Sequence, residues 1–218
     1  MTKTVLFDLD GTLLDTEKDF TRVLNSQLAS YGFAPVKPLQ VRNSVSSGAR
    51  ALIKLGYNVD ESHEKFSAYL EEFLDRYETC ISDTECDFFP GIASMLDALN
   101  KAGIPWGIVT NKPSRFTLPL IKNFPILSSS GVVICADHVK NSKPDPEGIL
   151  LACERMGSNP GETIYVGDHL KDVQATAAAG ATSIAVRWGY IPDELPIEDW
   201  QADHLINYPD EILAQAIR

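Results

Sequence analysis

Two aspartates, Asp8 and Asp10, directly follow a short apolar run at residues 5–7. A nearly all-apolar run that ends at polar residues predicts a buried strand of a parallel sheet. In open α/β sheets, ligands bind at the carboxyl ends of such strands. Two carboxylates this close repel each other unless a cation is present. The pair therefore predicts a divalent metal with oxygen ligands, for which Mg²⁺ fits best.

A second acidic pair, Asp168 and Asp172, follows another apolar run at residues 163–166. The spacing places Asp168 in a loop and Asp172 one turn into a helix. We expect Asp168 to be a further metal ligand and Asp172 to fix a lysine or a metal-bound water. Acids that merely suit the helix dipole are the alternative interpretation. His169 is not expected to be a ligand, because imidazole suits zinc better than magnesium.

A phosphate site is predicted where the apolar residues 104–109 give way to Thr110 and Asn111. A hydroxyl group, backbone amides and the start of the following helix together make a cradle for phosphate. Ordinary capping of that helix by Thr110 or Asn111 would explain the same residues. Lys143 precedes another predicted helix, and Lys140 is its competitor for a place in the site. Pro144 stiffens the loop and so favours Lys143.

The elements that must position these residues alternate along the chain. Strands are predicted at residues 5–7, 104–109, 131–135, 163–166, 182–186 and 203–206, with helices between them at residues 92–99, 114–123, 146–156 and 170–179 and a last helix at 209–217. This alternation predicts an α/β protein with a doubly wound parallel sheet, Rossmann-like in layout. Residues 17–86 have helical periodicity instead and include a predicted helix at 60–79. We therefore expect a core of residues 1–16 and 87–218 with an inserted α-helical cap at 17–86.

Residues 8–16, DLDGTLLDT, resemble the first motif of the haloacid dehalogenase superfamily. The resemblance implies that Asp8 is the nucleophile and Asp10 the general acid and base. It also implies that Mg²⁺ is held by Asp8, the backbone carbonyl of Asp10, and Asp168. Thr110 and Lys143 match the second and third motifs of the family, so the resemblance supports phosphate binding by Thr110, Asn111 and Lys143.

Within the superfamily, the chain resembles the phosphoglycolate phosphatase subfamily. Residues 47–51, 137–146 and 186–191 look like those of the N-acetylmuramic acid 6-phosphate phosphatases. The resemblance implies a Mg²⁺-dependent phosphomonoester hydrolase that forms an aspartyl phosphate, and the sequence leaves both substrates open. His169 departs from the acid or small polar residue expected at that position, which should tune catalysis without abolishing it.

Substrate specificity is expected to depend on a loop of small residues in the cap and on the arginine that follows it. The residues are Ser46, Ser47, Gly48 and Arg50. Arg50 would suit a substrate carboxylate, and a simple helix cap explains the loop equally well. Trp188 and Tyr190 could form an aromatic wall against a sugar, or they could only pack at the edge of the sheet.

The formal net charge of −11 argues against nucleic acid and anionic membranes as partners, because both require concentrated basic residues. No signal peptide is expected, and no segment approaches the roughly 20 apolar residues of a membrane span. The four cysteines lack metal or redox spacing, which fits reduced thiols in a cytoplasmic protein. The expected partner is a small phosphorylated metabolite, and the expected state is a monomer.

Three rival functions use similar residues. A phosphosugar mutase would return the phosphoryl group to sugar, and a noncatalytic phosphate-binding or signalling module would need only Asp8. The module leaves Thr110, Lys143 and the helical insert unexplained together. A haloacid dehalogenase would not need Asp10 as an acid.

Overall fold

The structure is a computed structural model and describes residues 3–217. It divides into two compact units. Met1–Leu14 and Phe88–Arg218 form the first, here called the α/β unit, and Asp15–Asp87 form the second, the helical unit. Among the described residues, no helix has both the length and the apolar character needed to cross a bilayer.

The strands carry the framework of the α/β unit. In chain order they are β1 (Thr4–Phe7), β2 (Leu14–Asp15), β3 (Asp87–Phe88), β4 (Trp106–Val109), β5 (Val133–Ile134), β6 (Thr163–Gly167), β7 (Thr182–Val186) and β8 (His204–Ile206). Within residues 3–217, six of them form one parallel sheet in the order β5-β4-β1-β6-β7-β8. Strands β2 and β3 pair with each other.

The helices fall into two sets. The helical unit contains α1 (Glu17–Ser30), α2 (Pro38–Val45), α3 (Ala49–Tyr57) and α4 (Phe66–Cys80). The α/β unit contains α5 (Ile92–Lys101), α6 (Ser114–Ile121), α7 (Glu147–Met156), α8 (Leu170–Ala179) and α9 (Glu211–Ala216). Strands and helices alternate through the α/β unit, so the predicted fold class is confirmed.

Strand β1 lies inside the sheet, and all of its residues are buried. Phe7 at its end is level with Ile108 of β4 and with Val166 of β6. The chain therefore leaves these three strands at one edge of the sheet. Strands β4 and β5 lie on one side of β1, and β6, β7 and β8 lie on the other. The strand order thus reverses at β1, which is where doubly wound sheets form a ligand crevice.

Aromatic packing holds the helical unit together. Phe20 of α1 stacks on Tyr77 of α4 with ring centroids 4.6 Å apart. Tyr57 of α3 stacks on Tyr69 of α4 at 3.8 Å. These contacts bury large rings whose removal from water favours the packed helices. The function of this unit as a cap stays a prediction.

Two elements are markedly shorter than predicted, and one helix was not predicted separately. The helix predicted over residues 60–79 begins only at Phe66, since residues 61–65 form turns in which the Asp60 carboxylate accepts the Ser62 N–H at 2.9 Å. The strand predicted over 131–135 is reduced to Val133–Ile134 at the sheet edge. Helix α2 was not predicted separately; it begins at Pro38, a residue that suits the first turn of a helix.

Candidate active site

Asp8 is the first residue after β1 and lies at the carboxyl edge of the sheet. Its N–H donates to the Val166 carbonyl at 2.9 Å, and its Oδ1 accepts the Leu9 N–H at 2.7 Å. The chain then turns at Gly11, whose φ of +84° lies in the left-handed region that glycine adopts readily. The strand and the turn together fix Asp8 and Asp10 at this edge.

Lys143 is buried against Asp8. Its Nζ lies 3.0 Å from Asp8 Oδ2 and 2.7 Å from Asp172 Oδ1. The same ammonium contacts the Tyr165 hydroxyl at 2.6 Å and the Val109 carbonyl at 3.2 Å. Because the Tyr165 hydroxyl donates to the Val109 carbonyl, it must accept from Lys143. These partners hold the ammonium in one place beside the Asp8 carboxylate.

Burial and the interaction between the two charges both shift the pKa values of Asp8 and Lys143. Burial raises the pKa of Asp8 to about 6, although the Lys143 charge opposes this shift. Burial lowers the pKa of Lys143, but Asp172 and Asp8 outweigh that effect and raise it. Lys143 therefore stays an ammonium, which stabilises the charged form of Asp8.

Asn111 fixes the loop that carries Lys143. Its side-chain Nδ2 donates to the Lys143 carbonyl at 2.9 Å, and its Oδ1 accepts the Lys143 N–H at 3.0 Å. Because the side chain of Asn111 is engaged by the Lys143 backbone, its predicted phosphate contact would be made by its backbone N–H. Lys140 is exposed, so the structure brings Lys143, and not Lys140, to Asp8.

Thr110 and Lys112 follow β4, next to the end of β1. Thr110 is buried, and its Oγ1 accepts the Lys112 N–H at 3.1 Å. The Lys112 Nζ lies 2.9 Å from Asp10 Oδ1 and 3.2 Å from Asp10 Oδ2. Lys112 had no predicted role. The available signal was its position between the predicted phosphate cradle and the next helix.

Asp168 is held in a tight pocket of backbone and side chain. Its Oδ1 accepts the Thr12 hydroxyl at 2.8 Å, and its Oδ2 accepts the Tyr190 N–H at 2.9 Å. The Trp188 indole donates to the Thr12 carbonyl at 3.0 Å. A Cβ on Gly189 would lie only 2.1 Å from the Cβ of Asp168. Trp188 and Tyr190 thus support Asp168 in this structure.

Carboxylate oxygens of Asp8, Asp168 and Asp172 lie within 4.8 Å of one another. Burial, together with Asp172 and Asp8, raises the pKa of Asp168 to about 8. Asp172 is already engaged, since Oδ1 contacts Lys143 and Oδ2 accepts the His169 N–H at 3.0 Å. Hard oxygen donors that repel each other when charged fit a divalent cation such as Mg²⁺. Asp8 and Asp168 are the two that would hold it directly.

His169 begins α8. Its Nδ1 accepts the Lys171 N–H at 3.1 Å, which caps the helix. Burial lowers the pKa of His169. The ring is therefore neutral near pH 7 and engaged in the helix start.

The predicted specificity residues lie within the helical unit. Ser46 follows α2, and Gly48 precedes α3 with a φ of +85°. Ser47 is exposed, and its N–H donates to the Ser44 carbonyl at 3.1 Å. Arg50 is exposed and pairs with Glu61 at 3.0 Å. The loop and Arg50 thus have local partners, and their contact with substrate stays a prediction.

A doubly wound sheet with clustered carboxylates and a buried lysine at its carboxyl edge defines an α/β enzyme. Comparisons with known proteins specify its kind. The family model described as haloacid dehalogenase-like hydrolase matches residues 5–186. The chain is 40% identical to the N-acetylmuramic acid 6-phosphate phosphatase of Pseudomonas aeruginosa, over 97% of this chain and 93% of that protein.

Two further relatives carry a related name. The chain is 41% identical to a phosphoglycolate phosphatase of Xylella fastidiosa, over 95% of this chain and 90% of that protein. A crystal structure of a predicted phosphoglycolate phosphatase from Haemophilus somnus superposes with a TM-score of 0.87 at 23% identity, covering 98% of this chain and 97% of that one. That likeness shows the fold.

The chain belongs to the haloacid dehalogenase-like hydrolases. The predictions of the family, and of a phosphatase within it, are confirmed by these relatives.

Proposed function

We propose that the chain hydrolyses a small phosphomonoester through a phosphorylated Asp8, and that the substrate is N-acetylmuramic acid 6-phosphate. The observation that carries the mechanism is the pairing of Asp8 with the buried Lys143 at 3.0 Å, at the carboxyl edge of the sheet. A carboxylate held against a fixed ammonium can attack phosphorus while the same ammonium attracts the phosphoryl oxygens.

Phosphoryl transfer to Asp8 begins with a new bond between a carboxylate oxygen of Asp8 and phosphorus. The bond between phosphorus and the ester oxygen breaks, and the leaving oxygen takes a proton from Asp10. Thr110, the backbone of Asn111 and Lys143 would bind the nonbridging oxygens. Positioning of the reacting groups and stabilisation of charge carry most of the catalysis in reactions of this kind.

Hydrolysis of the aspartyl phosphate completes the cycle. The Asp10 carboxylate takes a proton from water, and the water oxygen bonds to phosphorus. The bond between phosphorus and Asp8 then breaks and releases phosphate. Asp10 is thus the acid of the first step and the base of the second.

Magnesium is the proposed cofactor. Asp8, Asp168 and the backbone carbonyl of Asp10 would hold the ion, which is the set that the family resemblance implies. The bound ion would neutralise charge on the phosphoryl group. Asp172 would keep its place by its bonds to Lys143 and to the His169 N–H.

The choice of substrate rests on relatives. Two relatives with the N-acetylmuramic acid 6-phosphate phosphatase name are each 40% identical over at least 96% of this chain. The second candidate is 2-phosphoglycolate, which is favoured by relatives named phosphoglycolate phosphatase at 41% identity. Both substrates carry a carboxylate, so Arg50 would suit either.

The helical unit is proposed as the cap, with Ser46, Ser47, Gly48 and Arg50 near the substrate. Arg50 would have to exchange Glu61 for the substrate carboxylate. That exchange costs little, because the Arg50–Glu61 pair is exposed. A monomeric state and a cytoplasmic location stay predictions.

The test is release of phosphate with Mg²⁺ from N-acetylmuramic acid 6-phosphate, 2-phosphoglycolate, glucose 6-phosphate and β-glucose 1-phosphate. The proposal expects the highest kcat/KM for N-acetylmuramic acid 6-phosphate and loss of turnover on the order of 10³-fold or more in Asp8→Asn. A higher value for 2-phosphoglycolate would select the second candidate. Conversion of β-glucose 1-phosphate to glucose 6-phosphate would indicate a mutase, and no reaction with any substrate would favour a binding module.

A further inference from the structure

Lys112 is a buried lysine for which the proposed mechanism has no task. Its side chain is 6% exposed, and that of its partner Asp10 is 18% exposed. Burying an ammonium is unfavourable unless an opposite charge compensates it. One Nζ reaches both oxygens of Asp10, at 2.9 and 3.2 Å. Such a contact restrains the plane of the carboxylate as well as its distance.

The backbone of Lys112 is fixed on both sides. Its N–H donates to Thr110 Oγ1 at 3.1 Å. Its carbonyl accepts the Thr117 hydroxyl at 3.2 Å and the Ala136 N–H at 3.3 Å. Because β4 lies beside β1, this fixed point is next to the end of the strand that precedes Asp10. Lys112 therefore has less freedom than a surface lysine.

The two buried lysines serve different carboxylates. Lys143 contacts Asp8 and Asp172, whereas Lys112 contacts Asp10. The proposed chemistry divides in the same way, because Asp8 bonds to phosphorus and Asp10 moves protons. Lys143 thus contacts the proposed nucleophile, and Lys112 contacts the proposed acid and base.

We propose that Lys112 is a positioning residue for Asp10, an inference that rests on the proposed function. When the O–H bond of Asp10 breaks and the proton passes to the leaving oxygen, a carboxylate forms beside the Lys112 ammonium. The ammonium stabilises this new charge and holds the carboxylate in place while it takes a proton from water. Lys112 acts through Asp10 and does not itself contact the substrate in this proposal.

The leaving group provides a readout that a structural role would not produce. An alkoxide leaves poorly without a proton, whereas p-nitrophenolate leaves well without one. Loss of the Asp10 geometry must therefore slow alkyl phosphates more than aryl phosphates. Because kcat/KM reports on the first phosphoryl transfer, it isolates the step in which Asp10 is the acid.

The experiment compares kcat/KM for p-nitrophenyl phosphate with that for N-acetylmuramic acid 6-phosphate or 2-phosphoglycolate, whichever the enzyme turns over faster. We expect Lys112→Met to lower the alkyl phosphate value about 10- to 100-fold, mainly through kcat, and the aryl phosphate value less than about threefold. Lys112→Arg should recover part of the loss, and Asp10→Asn should give the same pattern with a larger loss. Lys101→Met is the matched control, since it removes a lysine that pairs with Asp97 at an exposed site.

Equal losses on both substrates, or no loss in a folded Lys112→Met enzyme, would overturn the inference. If Lys112→Met does not fold, Lys112→Gln replaces it, and the ratio of the alkyl phosphate loss to the aryl phosphate loss again decides whether the inference holds. The two proposals fail separately. Turnover that survives in Asp8→Asn contradicts the proposed function, whereas an inactive Asp8→Asn together with equal losses in Lys112→Met contradicts only the role of Lys112.

Discussion

Replacement of Gly189 by alanine should displace Asp168 and disable the proposed metal site. The new Cβ would lie 2.1 Å from Asp168 Cβ and 2.7 Å from the Gly11 carbonyl, whereas ordinary contact begins at 3.4 Å. Asp168 or the segment around residue 189 must therefore move by more than about 1 Å. A shift of that size breaks at least one of the bonds from Thr12 and Tyr190 that orient the carboxylate. Mg²⁺ tolerates such a shift poorly, because it requires oxygens at about 2.0–2.1 Å.

The expected magnitudes follow from this overlap. A misplacement of about 1 Å in a catalytic site can cost about 100-fold in rate, so kcat/KM should fall by about that factor in Gly189→Ala. The Mg²⁺ concentration for half-maximal activity should rise at least about tenfold, which is the usual effect of losing the support of a metal ligand. Overpacking should lower the free energy of unfolding by about 1–3 kcal/mol.

The assay is phosphate release as a function of Mg²⁺, with thermal unfolding measured in parallel. Gly161→Ala is the matched control, because its new Cβ would meet nothing closer than Asn159 Oδ1 at 3.8 Å. This variant should keep wild-type activity and Mg²⁺ dependence. A folded Gly189→Ala enzyme with wild-type Mg²⁺ dependence would refute the argument that Gly189 leaves room for a metal ligand.

Three further predictions address the same contacts and the helical unit. Thr12→Val removes the hydroxyl that donates to Asp168, so isothermal titration should show Mg²⁺ binding weakened about tenfold or more, whereas Thr12→Ser should bind Mg²⁺ nearly as wild type does. Equal Mg²⁺ affinity in the two variants would contradict a role of the Thr12 hydroxyl in orienting Asp168. Burial raises the pKa of Asp8 to about 6 and that of Asp168 to about 8. In EDTA, the folded state is therefore most stable with respect to these two groups below about pH 4, and this stability is lost as the pH rises through the two pKa values. Mg²⁺ should therefore raise the unfolding temperature more at pH 8 than at pH 5, and an equal rise would count against the site. Asp19 is fully buried and accepts bonds from Arg22 and the Glu85 N–H. Asp19→Ala should therefore lower the unfolding free energy in urea by about 1–3 kcal/mol, because these donors lose their acceptor. An unchanged unfolding free energy would show that the network is dispensable.

The parallel sheet could be predicted because its strands are short apolar runs that end in polar residues. Asp8 and Asp168 were visible for the same reason, since each follows such a run and parallel strands end at one edge. The two-residue strands β2 and β3 could not be predicted, because so few residues carry no periodic signal.

The partners of the site residues depend on contacts between distant parts of the chain. Thr12 and Asp168 are 156 positions apart, and Lys112 and Asp10 are 102 apart. Sequence patterns identify which side chains can do chemistry, but only the order β4-β1-β6 decides which of them meet. Tyr165 shows the same limit: its position in an apolar run predicts a core residue, whereas its hydroxyl contacts Lys143.

The central claim is that Asp8 becomes phosphorylated, and trapping that species tests it most directly. In Asp10→Asn, p-nitrophenyl phosphate can still phosphorylate the enzyme, because its leaving group needs no acid, while the base for hydrolysis is missing. Borohydride reduces an acyl phosphate to the alcohol, so rapid quenching followed by mass spectrometry of the peptides locates the phosphorylated residue. We predict a burst of p-nitrophenol matched by homoserine at position 8. A burst with the reduced residue at another position, or the same burst in an enzyme that also carries Asp8→Asn, would contradict it.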